Sequence, residues 1–424
     1  MGFPNYAIKG KKNSLAVLDI GTNKVACFIA QPNAEGNIQI KGIGHHLAKG
    51  IRGGMITDSH EAESSIISAV HAAEQMAGEG NTVENVVVSI SGSHLRSHNV
   101  SVELRVAGEG VSERDIADIL REGCNSVQSK ERSIIHCFAA GYEIDGARGI
   151  RDPRHMFGQR LAANLHLITA DNVKIRNLAG CIGRCHLNVS EFIVGSHAAA
   201  LGVLDADEMD LGVVLVNMGA GETSFSVFLG GMNIYSDVIP IGGQHVTSDI
   251  ARGLSTSMAH AERLKVLHGS AIALSQDNQA MVEVPLLGED EHSEEANLVP
   301  RAMLIGIIRP RLEEIFEILR ERLEMSGMLS KAGRNVVLTG GACQLIGLRE
   351  LVTRILNKQV RIAKPHLVNG LADSVSGPAF SATVGMLTYA TNRPLEDTLF
   401  QAIRQPSALS SRTHKLMNWM RENF

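Results

Sequence analysis

The chain of 424 residues is poor in aromatics: Phe, Tyr and Trp make up 4% of it, with a single tryptophan. Any large core must therefore be built from aliphatic side chains. There is no excess of basic charge, since the formal net charge is -5, and this excludes general binding along a nucleic acid. No apolar run approaches the ~20 residues that a membrane-spanning helix requires. The N-terminal stretch "MGFPNYAIKGKKNS" has no apolar signal core, and Tyr6 stands where myristoylation expects a small hydroxyl. The chain reads as soluble, a reading that its last residues will qualify. Six cysteines (Cys27, Cys124, Cys137, Cys181, Cys185, Cys343) are scattered, which argues against a disulfide framework and for a reducing cytoplasm. Cys181, Cys185 and His186 lie close together in sequence, but a complete zinc site needs four converging ligands and no second cluster exists. They read as ordinary thiols on a helix.

What is present is a globular composition, 44% hydrophobic and 20% charged, long enough for two to four domains at roughly 100–200 residues each. Its most informative feature is a repeat. "LAVLDIGTNKVACFIA" (Leu15 to Ala30) and "GVVLVNMGAGETSFSVFL" (Gly212 to Leu229) share one grammar. In each, an apolar strand meets a polar residue, a glycine-rich turn follows, and a second strand returns. Asp19 and Asn217 correspond in this pattern, 198 positions apart, which suggests two related halves. Gly219 and Gly221 imitate a dinucleotide fingerprint, but that motif needs a helix after its turn. Here Phe225, Val227 and Leu229 continue as strand.

Between the hairpins, "NVVVSISG" and "NLHLITA" read as strands, and Asp171 is placed to cap a helix running to Cys185. Residues from about Asn85 to Leu165 read as an insert, with strands near Leu95 to Val106 and a helix near Ser112 to Arg121. Ser112 and Asp115 resemble an acidic capping box there. In the second half "SMAHAERLKVLHG" is helical, and "GEDEHSEE" (288–295) is a solvated acidic loop. Arg311 to Leu323 carries apolar residues at helical spacing, and "NVVLTGGACQLIGLRELV" is a strand, a Gly-Gly turn and a helix. From Thr391 to Arg412, Pro394, Pro406 and a Ser-rich stretch read as a linker.

Tight glycine turns expose backbone N–H groups and leave room for a phosphate. Two such hairpins facing each other form a clamp for a polyphosphate. Thr22, Asn23 and Lys24 add side-chain donors, and Asp19 is placed to reach a divalent ion through water, since magnesium keeps part of its hydration shell. A third turn at Gly340 and Gly341 offers bare backbone to a nucleoside, or is a plain turn between strand and helix. Glu262 and Lys265 share one helical face, to bond a ribose or adenine, or to pair on the surface.

The two hairpins, the late Thr-Gly-Gly turn and "SGPAFSATVGML" together resemble the actin/Hsp70/hexokinase superfamily of ATP-binding folds. Within it, "LDIGTNKVACFIA", "VIPIGGQHVTSDIA", "AERLKVLHG", "VEVP" and "VVLTGGACQLIGL" look like the bacterial FtsA cell-division family, from about Leu15 to Tyr389 and again at the C-terminus. The resemblance implies an α/β, actin-like two-domain fold of ribonuclease H-like halves. Subdomain 1A would take 1–84 and 166–205, and the inserted subdomain 1C 85–165. Subdomain 2A would take 206–247 and 325–392, 2B 248–324, and a flexible linker 393–411 would precede a membrane-targeting helix, 412–424. It implies ATP and Mg2+ as cofactors, with Asp19, Gly21, Thr22, Asn23 and Lys24 in phosphate hairpin one. Asn217, Gly219, Ala220 and Gly221 would form hairpin two. Gly242 and Gly243 would border the nucleotide, and Glu262, Lys265, Gly340 and Gly341 would hold the adenosine.

As partners the resemblance implies the C-terminal tail of the tubulin-like protein FtsZ, further copies of the chain in a filament, later division proteins and anionic membrane lipids. The place of action would be the cytoplasmic face of the inner membrane at midcell. Matching "RPRLEEIF" nominates Arg311 and Glu314 for the FtsZ surface; without the match they are charges on a solvated helix face. The chain departs from the superfamily at Asn217, where an Asp is usual. Asparagine accepts a hydrogen bond from a metal-bound water but brings no charge, and losses around a metal's ligands typically cost ~10–100-fold in affinity or activity. With no evident general base, the expectation is ATP binding with slow or negligible hydrolysis. Glu222 is a weaker candidate to replace the missing acid, since its side chain should point differently. A sugar kinase or polyphosphate phosphatase is the alternative within the superfamily, but no substrate site with a catalytic Asp is identifiable.

The last residues, "RTHKLMNWMRENF", hold the only tryptophan. As a helix, Leu416, Met417, Trp419, Met420 and Phe424 fall within roughly a 160° arc, opposite Lys415, Asn418 and Arg421. A basic, amphipathic, Trp-containing segment after a linker reads as an interfacial membrane helix, or as a terminal helix docked on its own domain.

Overall fold

The computed structural model describes residues 14–32, 38–106, 108, 110–286, 297–391 and 398–401. The acidic stretch 288–295, the expected membrane helix 412–424 with Leu416, Met417, Trp419, Met420 and Phe424, and most of the expected linker lie outside the described residues.

Two five-stranded sheets share one plan. The first runs Ile38–Leu47, Lys24–Pro32, Leu15–Ile20, Asn85–Ile90, Asn188–Val194, and the second Met232–Ile239, Thr223–Leu229, Val213–Met218, Asn335–Thr339, Gln359–Ile362. In each, three strands form an antiparallel meander, and two more pair in parallel beyond the leading strand. The leading strands have neighbours on both sides, so their burial is nearly unbroken rather than alternating. Asp19 and Asn217 occupy the same place in them, opposite Ala26 and Ser224. The repeat read from the sequence is a repeat of topology.

The insert expected over 85–165 is shifted: Asn85–Ile90 belongs to the first sheet, and the inserted sheet has the order Leu95–Arg105, Arg160–Asp171, Arg132–Ile144, Ala147–Ile150, covered by the helix Glu113–Val127. Ser112 and Asp115 close the expected capping box, and Asp171 caps Asn172–Arg184 by accepting from the N–H groups of Val173 and Lys174. The strand Arg132–Ile144 was not anticipated, and its pairing is interrupted by register shifts that blur its alternation. Two polar contacts dock the insert on both halves. The Val194 N–H donates to His136 Nε2 at 3.1 Å, and His166 Nδ1 lies 3.0 Å from the Asn233 carbonyl.

Three local expectations are corrected. The helix expected from Arg311 begins at Arg301 and runs to Met325 through Pro310. Leu304, Ile305 and Ile308 extend its buried stripe, and three such side chains at ~1.5–3 kcal/mol each outweigh the ~3 kcal/mol cost of an internal proline. A short 3-10 turn, Gly341–Gln344, separates the Gly-Gly turn from the helix Leu348–Leu356. Within the expected linker, residues 398–401 are helical. Phe400 is 2% exposed and belongs to the core of the insert with Ile116, Leu120 and Leu167. Gln401 Nε2 donates to Glu191 Oε1 at 2.7 Å, and the Tyr389 hydroxyl donates to the same oxygen at 2.8 Å. Two prolines and a Ser-rich stretch suggest a linker there, but the adjacent Leu399 and Phe400 decide the docking.

The helices Gly195–Val203 and Ser381–Thr391 lie between the two sheets. Ala198, Val384 and Leu387 pack with Val17, Phe28 and Val87 of the first sheet, while Ala199 and Ala200 pack with Val213, Leu215 and Val337 of the second. The helices approach to backbone contact. A Cβ on Gly385 would lie 1.7 Å from the Ala198 carbonyl oxygen, and one on Gly202 2.2 Å from that of Ser381. A methyl at Gly385 must therefore push the helices apart. Gly385→Ala should cost about 1–3 kcal/mol, read as a lower urea midpoint at unchanged slope. An unchanged midpoint would show that the crossing accommodates a side chain.

Candidate functional site

The two glycine turns face each other across a cleft of about 750 Å³, within the range of small-molecule sites. They are closed by the same bond at the same offset: the Gly21 N–H donates to the Lys24 carbonyl at 2.9 Å, and the Gly219 N–H to that of Glu222 at 2.9 Å. Their tips nearly touch. A Cβ on Gly221 would sit 2.4 Å from Thr22 Oγ1 and 3.1 Å from the Gly53 nitrogen, so a side chain at position 221 has no room against the Thr22 hydroxyl and the Gly53 backbone. Gly21, Thr22, Asn23, Gly219, Ala220 and Gly221 all line this narrowing.

Lys24 reaches across to the start of the Ser381–Thr391 helix. Its ammonium donates to the Ala379 carbonyl, lies 3.8 Å from Asp19 Oδ2 and sits 4.2 Å from the Phe380 ring centroid. Burial lowers its pKa from the usual lysine range, and the nearby Asp19 carboxylate opposes that shift. Asp19 is itself held from two sides, Oδ1 by the Ser89 hydroxyl at 2.8 Å and Oδ2 by the Thr383 hydroxyl at 3.0 Å. Neither partner was nominated from sequence. Ser89 had a legible signal, a hydroxyl inside the apolar run "NVVVSI", whereas Thr383 comes from the far end of the chain with no local sign.

In the second half, the helix Gly243–Gly253 backs onto hairpin two: the Gly243 N–H donates to the Gly219 carbonyl at 2.9 Å and that of Gln244 to Ala220 at 2.8 Å. Gly243 lines the cleft. Gly242 lies behind the turn, where a Cβ would come within 2.6 Å of the Gly219 oxygen. Glu262 and Lys265 form an ion pair at 2.7 Å, and both also line the cleft. The Lys265 ammonium donates to the Gly243 carbonyl at 3.1 Å and to Thr247 Oγ1 at 2.8 Å, tying Met258–His268 to the helix behind hairpin two. Gly340 and Gly341 also line the cleft, Gly340 beside Asn217.

Glu222 follows hairpin two and is 8% exposed. Burial pushes its carboxyl up to about 7, against hydrogen bonds from the Ser91 side chain and the Gly92 backbone. Arg311 and Glu314 stand away from the cleft. Arg311 Nε donates to Asp249 Oδ2 at 2.6 Å, joining Arg301–Met325 to Gly243–Gly253, and its guanidinium also pairs with Glu314. Among the described residues no three His, Cys, Asp or Glu side chains converge as a metal cage, and no helix is long and apolar enough to cross a membrane.

Residues 214–385 match the family described as cell division protein FtsA, and residues 92–169 match the SHS2 domain inserted in FTSA. A cell division protein FtsA of Rhizobium meliloti (strain 1021) is 39% identical over 437 aligned positions, spanning 100% of this chain and 98% of that one. Among solved structures, a PilM–PilN type IV pilus biogenesis complex is similar at a TM-score of 0.65 and 15% identity, over 89% of this chain and 98% of that one. MreB5 of Spiroplasma citri bound to ADP is similar at 0.54 and 12%, over 93% and 99%. These likenesses show the actin-like α/β fold.

Gly340 has φ of 88°, and a Cβ there would meet the Met218 oxygen at 2.4 Å and Asn217 Oδ1 at 2.5 Å. Gly340→Ala combines left-handed strain with a clash against the second hairpin. It should cost about 1–3 kcal/mol, measured by denaturant unfolding, and full retention of stability would contradict the tight seat assigned to this turn.

Proposed function

Because this chain belongs to the FtsA family of cell-division proteins, we propose that it binds ATP between its two glycine hairpins, turns it over slowly, and polymerises at the cytoplasmic membrane to anchor FtsZ filaments of the division ring. The observation that carries the nucleotide reading is the pair of identically closed turns meeting tip to tip over one cleft. Backbone N–H groups converging from both sides, with the Lys24 ammonium beside them, make a polyphosphate cradle. Gly340, Gly341, Glu262 and Lys265 form the far wall, and there the adenosine lies.

A magnesium ion fits this cleft as one carried in by the phosphates. Asp19 reaches it through water, because both its carboxylate oxygens already accept protein hydrogen bonds. The ion supplies charge neutralisation at the phosphates. Asn217 adds no charge at the corresponding place, and for that reason turnover is slow and the nucleotide acts chiefly as a structural ligand for assembly. A sugar kinase or phosphatase has no observation in its favour here.

Subdomain 2B, residues 248–324, offers the Arg311–Glu314 face to the FtsZ C-terminal tail. Later division proteins join the polymer, and the helix 412–424 lays Leu416, Met417, Trp419, Met420 and Phe424 into an anionic bilayer at midcell. Burying five apolar side chains at ~1.5–3 kcal/mol each gives at most about 7–15 kcal/mol, much of it offset by helix ordering. One copy binds reversibly, and a filament of copies binds firmly through avidity.

Two measurements test this reading. Asn217→Asp should raise the steady-state ATPase rate, by about 10-fold or more if the missing charge accounts for the deficit; an unchanged rate would remove Asn217 as its cause. Trp419→Glu should release the protein from anionic liposomes in a sedimentation assay while ATP still binds, and undiminished co-sedimentation would contradict the tail's membrane role.

A further inference from the structure

Asp19 and Lys24 stand in hairpin one, but two of their partners come from the far end of the chain. The Ala379 carbonyl accepts from the Lys24 ammonium, and the Thr383 hydroxyl donates to Asp19 Oδ2 at 3.0 Å. The same stretch also grips the second half. The Gly340 N–H donates to the Pro378 carbonyl at 3.1 Å. The Ser381 hydroxyl lies 2.6 Å from Thr339 Oγ1, on the strand residue paired with Asn217. Residues 378–383 thus touch the polar centres of both halves, and Pro378, Ala379 and Ala382 line the cleft. Ser381 and Thr383 are two positions apart at a helix start, about 200° around its axis, so one hydroxyl serves each half.

The bond from Thr383 is not explained by its helix. A threonine in a helix can return its hydroxyl to the carbonyl one turn back, as Thr391 does to Leu387 at 3.0 Å in this same helix. Thr383 is fully buried and reaches out of the helix to an acid 364 positions away. The matched hydroxyls on the neighbouring strands are also used differently. Ser89, one step beyond the Leu18–Val88 pair, donates to Asp19 Oδ1 at 2.8 Å. Thr339, at the corresponding place, engages Ser381.

One bond at Oδ1 leaves the Asp19 carboxylate able to turn about its last torsion, which is broad for aspartate. A second bond at Oδ2 fixes its plane; Lys24, at 3.8 Å from that oxygen, is too far to do so by a hydrogen bond. An ionised carboxylate offers about four lone-pair sites. Ser89 and Thr383 take two, and the side chain keeps 17% exposure where it lines the cleft. Magnesium demands near-octahedral geometry of its water shell, so the direction of the remaining lone pairs decides how well that shell is met. We propose that Thr383 is a positioning residue: its hydroxyl aims the Asp19 carboxylate at the water shell of the divalent cation that accompanies the nucleotide. The inference rests on the cleft being the nucleotide site.

The readout is ATP affinity by equilibrium titration, in excess Mg2+ and in excess EDTA, with melting temperature alongside. Valine keeps the shape of threonine without the hydroxyl. Thr383→Val should lose about tenfold of the Mg2+-dependent gain in affinity, while its affinity in EDTA stays within about threefold of wild type. Thr383→Ser, which keeps the hydroxyl, should retain the gain. In an Asp19→Asn background Thr383→Val should remove nothing further, because it acts through that carboxylate. If the valine variant melts early, Thr383→Ala is held to the same criteria. A full Mg2+ gain without the hydroxyl overturns the assignment, as does equal weakening with and without Mg2+, since the hydroxyl then only shapes the cleft. A further loss in the Asp19→Asn background, or a serine variant that behaves as valine does, overturns it too. Wild type that binds ATP equally well in Mg2+ and EDTA removes the cation from Asp19. Wild type that binds ATP in neither overturns the nucleotide reading itself, and the two failures are distinguished in the same titration.

Discussion

The cleft depends on one contact, the crossing of the Gly195–Val203 and Ser381–Thr391 helices without side chains between them at Gly202 and Gly385. Between them the helices pack on both sheets, so the distance between the sheets is set by how closely two backbones can approach. The glycine hairpins are the leading edges of those sheets, and their tips meet because the helices behind them meet. Thr383, on one of the crossing helices, also bonds Asp19. The same element therefore spaces the two halves and fixes the acid of the first turn.

The halves handle charge differently despite their matched topology. In the first, Asp19 and Lys24 sit close together and are satisfied by Ser89, Thr383 and Ala379. In the second, the corresponding position is the neutral Asn217, and the acidic group appears five residues later at Glu222, turned toward the other half. The strand carboxylate of the first half has its counterpart in a carboxyl after the turn of the second. The two are not equivalent, because Asp19 accepts from the Ser89 and Thr383 hydroxyls, while Glu222 takes its bonds from Ser91 and Gly92 of the other half.

What could be read from the sequence was contiguous. The strand–turn–strand pattern at Leu15 to Ala30 and at Gly212 to Leu229 is local, and backbone geometry makes the cradle, so the glycines disclosed it. The capping residues Asp171 and Ser112 were legible for the same reason. Contacts assembled over long separations were not, and Thr383 to Asp19 is the clearest case. Helix Arg301–Met325 was cut short because Pro310 is a strong local signal that burial overrides. Residues 398–401 were hidden because composition averages over a window, while docking depends on two adjacent apolar side chains. Gly242 and Gly243 differ in a way that the pair does not announce, since only the second lines the cleft.

Phe400 also bears on how the chain is made. The core it enters is built from residues of the insert that precede it by more than two hundred positions. During synthesis from the N-terminus, the insert leaves the ribosome with a hole where that ring belongs, and the hole persists until the strands and helices of the second half have followed. The last described turn is thus a closing stopper. The two halves and the crossing helices are already in hand when it seats, so completion of the insert reports that both halves have been made.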